Sequence, residues 1–463
     1  MIFKQFEDKQ LSQFSYLIAS DDTREAIVID PSINSEIYIQ YALEHNLNIK
    51  YVTETHIHAD YLSGIRRLAR HANAEILISN YDSGEKYDVA FNHKPLNEGD
   101  EIKIGDLTLE VIHTPGHTPE HISFSLKQNN EVSALITGDF LFIGSVGRPD
   151  LLGEDAKIQL ANHQFDSVTN KLKPFKDEVL IFPGHGAGSL CGSGMSKSAS
   201  SALGEERKHN PYLESSLTRE QFVQKLTSNS PHRPDYYLTM KEVNSAENEL
   251  ISDFEAIPEL SLVDFSRESF NGIIVDFREP LSFGGGHIPN SFNIAIYDKL
   301  SFWAAYTVPY DMDIFIVESP KVSTLEAQKA FATVGLHNIK GSLKGGINAF
   351  VESGEDFEDI AQVSVQFLDD MLDAGENIIL IDVRSESEYK EAHIKQARHF
   401  YLGTLKEQMH KISKDEDAEV YVICGGGFRS SLACSILKAG GYSYVYNVMG
   451  GMNAWKKLGF ETV

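Results

Sequence analysis

The sequence predicts a multidomain α/β protein, with an N-terminal metal-holding region followed by two copies of a smaller α/β domain whose sheet is mainly parallel. Three observations carry this. The chain has 463 residues, too many for one core when a domain takes roughly 100 to 200. Its C-terminal half matches itself at an offset of 106 residues. Its first half sends four apolar strands into Gly-bearing loops that carry His or Asp. The resulting boundaries are 1–245, 250–356 and 360–463.

Composition excludes several classes of function. Hydrophobic residues make up 42% and charged residues 23%, as in ordinary soluble proteins, so disorder and collagen-like structure are out. With 67 acidic residues against 41 Lys plus Arg, the formal charge is -26. No basic stripe interrupts it, so neither nucleic acid nor an anionic membrane is an expected partner. The start, MIFKQFEDKQ, has neither the basic nor the apolar region of a signal peptide, and a cytoplasmic protein is expected. Only Cys191, Cys424 and Cys434 occur, too few and too scattered for a disulfide framework, so a cysteine that matters acts as a thiol. Long acidic multidomain chains of this kind are expected to form symmetric homo-oligomers.

Taken in order, the first region has a strand running into Tyr51-Val52-Thr53-Glu54-Thr55-His56-Ile57-His58-Ala59-Asp60, which places two imidazoles and a carboxylate at alternate positions. The strand Leu107 to Ile112 leads to His113-Thr114-Pro115-Gly116-His117, Val132 to Ile136 leads to Thr137-Gly138-Asp139, and Val179 to Phe182 leads to Pro183-Gly184-His185. A lone His is usually structural, but four loops of one design point to a metal. His113 reads as structural. From Gly184 to Asn210 runs a Gly/Ser-rich stretch, long enough to be a working or mobile loop. In it Cys191 follows His185 by six residues and is expected to be an exposed thiol, either a sulfur relay or incidental.

This series resembles the metallo-β-lactamase superfamily, which implies an αββα sandwich over about 1–215. Where that family's first motif usually ends in His, this chain has Tyr61, which weakens a second metal site and favours a single metal. Arg24-Glu25-Ala26-Ile27-Val28-Ile29-Asp30-Pro31, Gly147-Arg148-Pro149-Asp150 and Glu205-Glu206-Arg207-Lys208-His209-Asn210-Pro211 are most similar to persulfide dioxygenases. That resemblance implies mononuclear non-haem Fe(II) held by His56, His117 and Asp139, a two-His, one-carboxylate triad with positions left for sulfur, oxygen or water. His58, Asp60, Tyr61 and His185 would then surround the ligands. Zinc, which would recruit His58, is the alternative. Arg148 would meet the thiol substrate, since its N–H fork suits a carboxylate or phosphate; a salt bridge with Asp150 is the competing reading.

In the repeat, Asp276 falls on Asp382 and His287-Ile288 on His393-Ile394, while Gly345-Gly346-Ile347-Asn348-Ala349-Phe350 falls on Gly450-Gly451-Met452-Asn453-Ala454-Trp455 after a one-residue slip. Strands such as Asn377 to Val383 and Val420 to Ile423, and the helical stretch Ser430 to Lys438, give the α/β pattern. Only the last copy is equipped for chemistry. There Cys424 ends an apolar strand, Gly425, Gly426 and Gly427 allow N–H groups to turn inward, and Arg429 opens the next helix with a full positive charge. Such a nest lowers a thiol's pKa and cradles an anionic adduct. The spacing resembles rhodaneses, sulfurtransferases whose cysteine becomes a persulfide; Asp382 and Arg384 would brace the domain, and Cys434 would pack in its core. At the same offset the middle copy has Glu318 and Ser323, so it is expected to be a spacer or interface.

Together the resemblances imply an enzyme of sulfide detoxification. Small-thiol persulfides would be oxidised with O2 to sulfite, and Cys424 persulfide would form thiosulfate from sulfite or consume thiosulfate in reverse. The rival readings are a zinc thioester hydrolase of the glyoxalase II kind fused to a sulfurtransferase, and a persulfide carrier or sensor.

Overall fold

The computed structural model describes residues 1–82, 87–228, 232–247, 254–414 and 418–463. The chain divides into two compact units, Met1–Ser252 with Ala332–Gly335, and Asp253–Phe331 with Leu336–Val463. Apart from Ala332–Gly335, the described parts of both repeats fall in the second unit, each with its own sheet. The expected start of the middle domain, residue 250, lies outside the described residues.

The first unit is built on two six-stranded sheets. One contains β1 (Ile2–Asp8), β2 (Gln13–Ala19), β3 (Glu25–Ile29), β4 (Asn48–Thr53), β5 (Glu75–Ser79) and β6 (Lys94–Leu96) in chain order. The other contains β7 (Glu101–Ile104), β8 (Leu107–His113), β9 (Ile122–Gln128) and β10 (Glu131–Gly138); after the short hairpin β11 (Leu141–Phe142) and β12 (Ser145–Val146), it is completed by β13 (Leu180–Pro183) and β14 (Ser201–Ala202). Its order is β14-β13-β10-β9-β8-β7.

Side-chain alternation sets the layers. On β2 and β3, Tyr16, Ile18, Ile27 and Ile29 face inward onto Leu109, Val111, Phe124 and Ile136 of the second sheet. Their neighbours Leu17, Ala19, Ala26 and Val28 face outward, beneath Tyr38 and Ala42 of helix Glu36–Glu44 and Ile65 and Leu68 of helix Ile65–Ala72. On the far side, Leu135 and Ile181 pack against Ala161 and Val168 of helix Glu154–Lys171 and Phe222 of helix Arg219–Ser228. Each fully buried aliphatic or aromatic side chain contributes about 1.5 to 3 kcal/mol, and both faces of both sheets are covered. The result is an αββα sandwich.

Strand direction places the site. β8 and β10 are each antiparallel to β9, and β13 is parallel to β10, so β8, β10 and β13 end at the same edge. The loops carrying His117, Asp139 and His185 therefore leave together. The Gly/Ser-rich stretch, expected to be a working or a mobile loop, is held in place. Its last part is the helix Leu203–His209, and its first part is tied down by the Arg148 N–H to the Cys191 carbonyl (2.9 Å), the Ser196 N–H to Ile143 (2.9 Å) and the Ser145 hydroxyl to Ser193 (2.6 Å).

The second unit holds two sheets of identical topology. β15 (Glu259–Leu260), β16 (Ile273–Asp276), β17 (Phe292–Asn293), β18 (Ile314–Val317) and β19 (Ile339–Leu343) are ordered β15-β19-β18-β16-β17. β20 (Ala361–Ser364), β21 (Ile379–Asp382), β22 (Arg398–His399), β23 (Glu419–Ile423) and β24 (Tyr444–Met449) repeat that order, and the pairs in both sheets are parallel. The central strands β16, β18, β21 and β23 are mostly apolar, as parallel strands covered on both faces must be, with Asp276 and Asp382 at the ends of β16 and β21. Asp276–Arg278 and Asp382–Arg384 form matching ion pairs, with Arg278 Nη2 also donating to Gly286 O and Arg384 Nη2 to Ala392 O. Across the repeats, Asn293 accepts from the Ser431 hydroxyl at 2.6 Å. Among the described residues no helix is long and apolar enough to cross a membrane.

Candidate functional site

In the first unit His56, His117 and Asp139, all buried, bring one ligand atom each within 4.8 Å of the others. His117 Nε2 lies 3.4 Å and His56 Nε2 3.9 Å from Asp139 Oδ2. The far side of each ligand is fixed. His117 Nδ1–H donates to the Arg148 carbonyl at 2.8 Å. The Thr55 hydroxyl gives its proton to Asp30 and so accepts from His56 Nδ1–H at 2.9 Å. Asp139 Oδ1 accepts from His185 Nδ1 at 2.8 Å. Both imidazoles therefore turn an unprotonated Nε2 inward, and His117 Nε2 and Asp139 Oδ2 are buried without a hydrogen-bond partner. Orphaned acceptors around one point are costly in a folded protein unless a cation satisfies them. The donor set of two imidazoles and one carboxylate fits a divalent metal.

Electrostatics agree with that geometry. Burial pushes His56 well below the usual histidine range and also lowers His117, leaving both neutral. Burial opposes ionisation of Asp139, but the facing, hydrogen-bonded His185 outweighs it and holds the carboxyl far below its usual range.

The surrounding residues take varied positions. His58 Nε2 meets Asp30 Oδ1 at 3.1 Å, while its Nδ1 is buried without a partner. Tyr61 is buried; its hydroxyl accepts from Gln13 at 3.3 Å and reaches the Asp30 carbonyl at 3.4 Å, so it is spent on backbone support. His185 bridges two carboxylates, Asp139 at 2.8 Å and Asp60 at 2.8 Å. Asp60, His185 and Cys191 form a second buried group with ligand atoms within 4.8 Å.

One expectation needs correction here. Cys191 is 1% exposed, and burial followed by the Asp60 and Asp139 carboxylates pushes its thiol up to about 12. It is not the exposed, mobile thiol expected of a Gly/Ser-rich loop, because that loop packs down on the site. Arg148 is likewise buried, with Nε and Nη2 on Asp150 at 2.6 and 2.9 Å and Nη1 on the Leu190 carbonyl at 3.0 Å. Its side chain makes the Asp150 salt bridge that the sequence offered as the competing reading, and its carbonyl holds His117 Nδ1.

In the second unit Cys424, also 1% exposed, directly follows β23. Its Sγ accepts from Gly427 N–H at 3.1 Å and lies 3.3 Å from the Ser430 hydroxyl, which donates to Asn447 Oδ1 at 2.6 Å. Gly427 makes this turn at φ +104, where its lack of a Cβ is required. The carbonyls of Cys424 and Gly425 are held by Met452 N–H (2.8 Å) and Asn453 N–H (2.9 Å). Arg429 does not stand at the mouth as a free positive charge. Its fork sits on Glu388 at 2.7 and 2.8 Å, a pairing invisible from the loop's own sequence. Cys434 is buried in the following helix, Phe428–Ala439.

Residues 8–185 match the metallo-beta-lactamase superfamily, and residues 263–353 and 364–458 match the rhodanese-like domain. Hydroxyacylglutathione hydrolase GloC of Haemophilus influenzae is 30% identical over 215 residues, 42% of this chain and 90% of its own length. The chain belongs to the metallo-β-lactamase superfamily. The mitochondrial persulfide dioxygenase ETHE1 of Homo sapiens is 31% identical over 227 residues, 48% of this chain and 79% of its own length. A metallo-beta-lactamase crystal structure from Staphylococcus aureus superimposes with a TM-score of 0.66 at 34% identity, covering 74% of this chain and 98% of that one.

The metallo-β-lactamase domain uses residues to which sequence reasoning gave no role. Asp30, at φ +53, accepts from Thr55 N–H (2.7 Å), the Thr55 hydroxyl (3.0 Å) and His58, and so orients the whole His56–His58 loop. His121 Nε2 accepts the Asp139 N–H at 3.0 Å; its position four residues after His117 was the available signal. From helix Tyr236–Ser245, Lys241 donates to the Ile57 carbonyl (2.9 Å) and Asn244 to the His58 and Tyr61 carbonyls (2.9 and 2.8 Å). Gly184 allows close approach, since a Cβ there would meet Asp139 Oδ1 at 2.5 Å.

In the last rhodanese-like domain, Glu388 is also the third residue of a capping box with Ser385. Burial opposes its ionisation, but Arg429 and the Ser385 N–H and hydroxyl hold it down at about 2 against the ordinary 4.5. A depressed carboxyl stabilises the fold above the unfolded value and loses that contribution as pH falls through the folded one. The difference in urea midpoint between the unaltered protein and Glu388→Gln is therefore expected to be full at neutral pH and to shrink between pH 4.5 and 2. A difference independent of pH would contradict the pairing. In the middle copy Glu318 is exposed and Ser323 caps helix Thr324–Thr333 through Glu326, so the position equivalent to Cys424 has no cradle.

Proposed function

We propose that the protein oxidises small-thiol persulfides with O2 to sulfite in its metallo-β-lactamase domain and carries sulfane sulfur on Cys424 in its last rhodanese-like domain, yielding thiosulfate from sulfite. The observation that carries this reading is the convergence of His56, His117 and Asp139, with the Tyr61 hydroxyl taken up by Gln13 and the Asp30 carbonyl, a donor set that suits one Fe(II). Similarity to persulfide dioxygenase ETHE1 supports it. Bound there, iron would supply the means to activate O2 and to oxidise a persulfide sulfur. The chain's own work is to hold the two Nε2 atoms and Oδ2 convergent, through Thr55, Arg148 and His185, and to keep bulk water from a site whose ligands are buried. The balance is R–S–SH + O2 + H2O giving R–SH, sulfite and two protons. At Cys424 the sulfur transfer follows: sulfite attacks the outer sulfur of Cys–S–S−, a new S–S bond forms, and the thiolate leaves with the electron pair.

A second reading, a zinc thioester hydrolase, is favoured by the partnerless His58 Nδ1 and by similarity to hydroxyacylglutathione hydrolase. Metal analysis after anaerobic purification separates the two. Iron near one equivalent, without thioester turnover, is the expected result; zinc with thioester hydrolysis would overturn the persulfide reading.

A further inference from the structure

The Glu388–Arg429 pair bears on which sulfur donor the last domain accepts; the inference rests on Cys424 as the sulfur-carrying residue. Arg429 is the cation of the loop, yet both arms of its fork are on one carboxylate. Asp382 also faces it, but Asp382 is itself bound to Arg384. Glu388 is not a free side chain that swings aside at no cost. Its Oε2 accepts from the Ser385 N–H (3.1 Å) and hydroxyl (2.9 Å), fixing it to the start of helix Glu386–Glu391. The repeat provides an internal control. At the offset of 106, Glu388, Cys424 and Arg429 become Ser282, Glu318 and Ser323. The same sheet order stands with no carboxylate in place of Glu388, no thiol in place of Cys424 and no guanidinium in place of Arg429. The ion pair therefore accompanies the thiol rather than the fold.

We propose that Glu388 is a specificity-determining residue: by neutralising Arg429 beside Cys424, it turns the site away from the thiosulfate dianion and toward sulfane sulfur delivered as an organic persulfide, whose reacting end carries a single charge. In either case the Cys424 thiolate attacks the sulfane sulfur, forming Cys–S–S and breaking the donor's S–S bond. The electron pair leaves on sulfite from thiosulfate, or on R–S− from a persulfide. What differs is the charge brought to the mouth. Removing the carboxylate uncovers one positive charge several ångströms away, which attracts a dianion more than a monoanion, by enough at intermediate dielectric to move thiosulfate affinity about tenfold and the preference between the two donors about threefold.

The test is anaerobic sulfur transfer to cyanide by the full-length protein, with thiosulfate or 2-hydroxyethyl persulfide as donor and the uncatalysed reaction subtracted. In Glu388→Gln the KM for thiosulfate is expected to fall about tenfold and that for the persulfide about threefold or less, with kcat changing far less than KM. An unchanged or raised thiosulfate KM, or an equal fall for both donors, would overturn the proposal. Should Glu388→Gln not fold, the unaltered protein decides. A neutralised mouth gives a thiosulfate KM that stays flat or falls with added salt, whereas a KM rising steeply with salt would reveal a free cation and sink the idea. Cys424→Ser separates the two failures. If it still transfers sulfur, the reading of Cys424 is wrong; if it does not, a wrong donor ratio counts against Glu388 alone.

Discussion

Replacing Cys424 with serine is expected to abolish sulfur transfer while persulfide oxidation continues, so that sulfite accumulates where the unaltered protein makes thiosulfate. The argument is chemical and local. The Gly427 N–H and the Ser430 hydroxyl both meet Sγ, so the cradle is built around sulfur, and a serine oxygen there neither ionises near neutral pH nor carries sulfane sulfur. Loss of at least roughly a thousandfold is the scale for deleting a covalent nucleophile. Oxygen uptake and metal content should be unchanged, because the ligand atoms of His56, His117 and Asp139 lie in the first compact unit. Product analysis by sulfite and thiosulfate assay checks this. Thiosulfate formed at the unaltered rate by Cys424→Ser would remove the last domain from the pathway.

The second large effect is expected at Asp139. Asp139→Ala removes one of three ligands and leaves His185, which faces both Asp139 and Asp60, without half of its charge compensation. Metal affinity is expected to fall by more than about 100-fold, beyond the roughly 10- to 100-fold cost of losing an outer hydrogen-bond partner. Asp30→Asn, which disturbs only the support of Thr55 and His58, should fall within that smaller range. Oxygen uptake should vanish in Asp139→Ala, whereas anaerobic sulfur transfer through Cys424 should persist. Metal content by elemental analysis and the two assays provide the readout. Full metal retention in Asp139→Ala would mean the ion sits elsewhere.

How much of this was legible in the sequence depended on whether the signal was local. Strands β8, β10, β13 and β23 begin and end within a residue or two of their expected bounds, because apolar β-branched runs closed by Gly or Pro leave little freedom. The αββα layering follows from alternation on β2 and β3. His56, His117 and Asp139 were legible because each stands where a buried strand opens into a loop. What the sequence hid was long-range pairing. Nothing near Arg429 announces Glu388, 41 residues away, and nothing near His58 announces Asn244, 186 residues away. Cys191 was misread for the same reason. Gly and Ser around it imply exposure, but the small side chains let the loop pack onto Asp60 and His185 instead.

The central claim is that persulfide sulfur is oxidised by O2 at the His56–His117–Asp139 centre, and oxygen uptake tests it most directly. On addition of a small-thiol persulfide to the iron-loaded protein in an oxygen-electrode cell, one O2 should be consumed for each sulfite equivalent formed, and Asp139→Ala should consume none. No persulfide-dependent uptake by protein shown to contain iron, or uptake that survives in Asp139→Ala, would contradict the account.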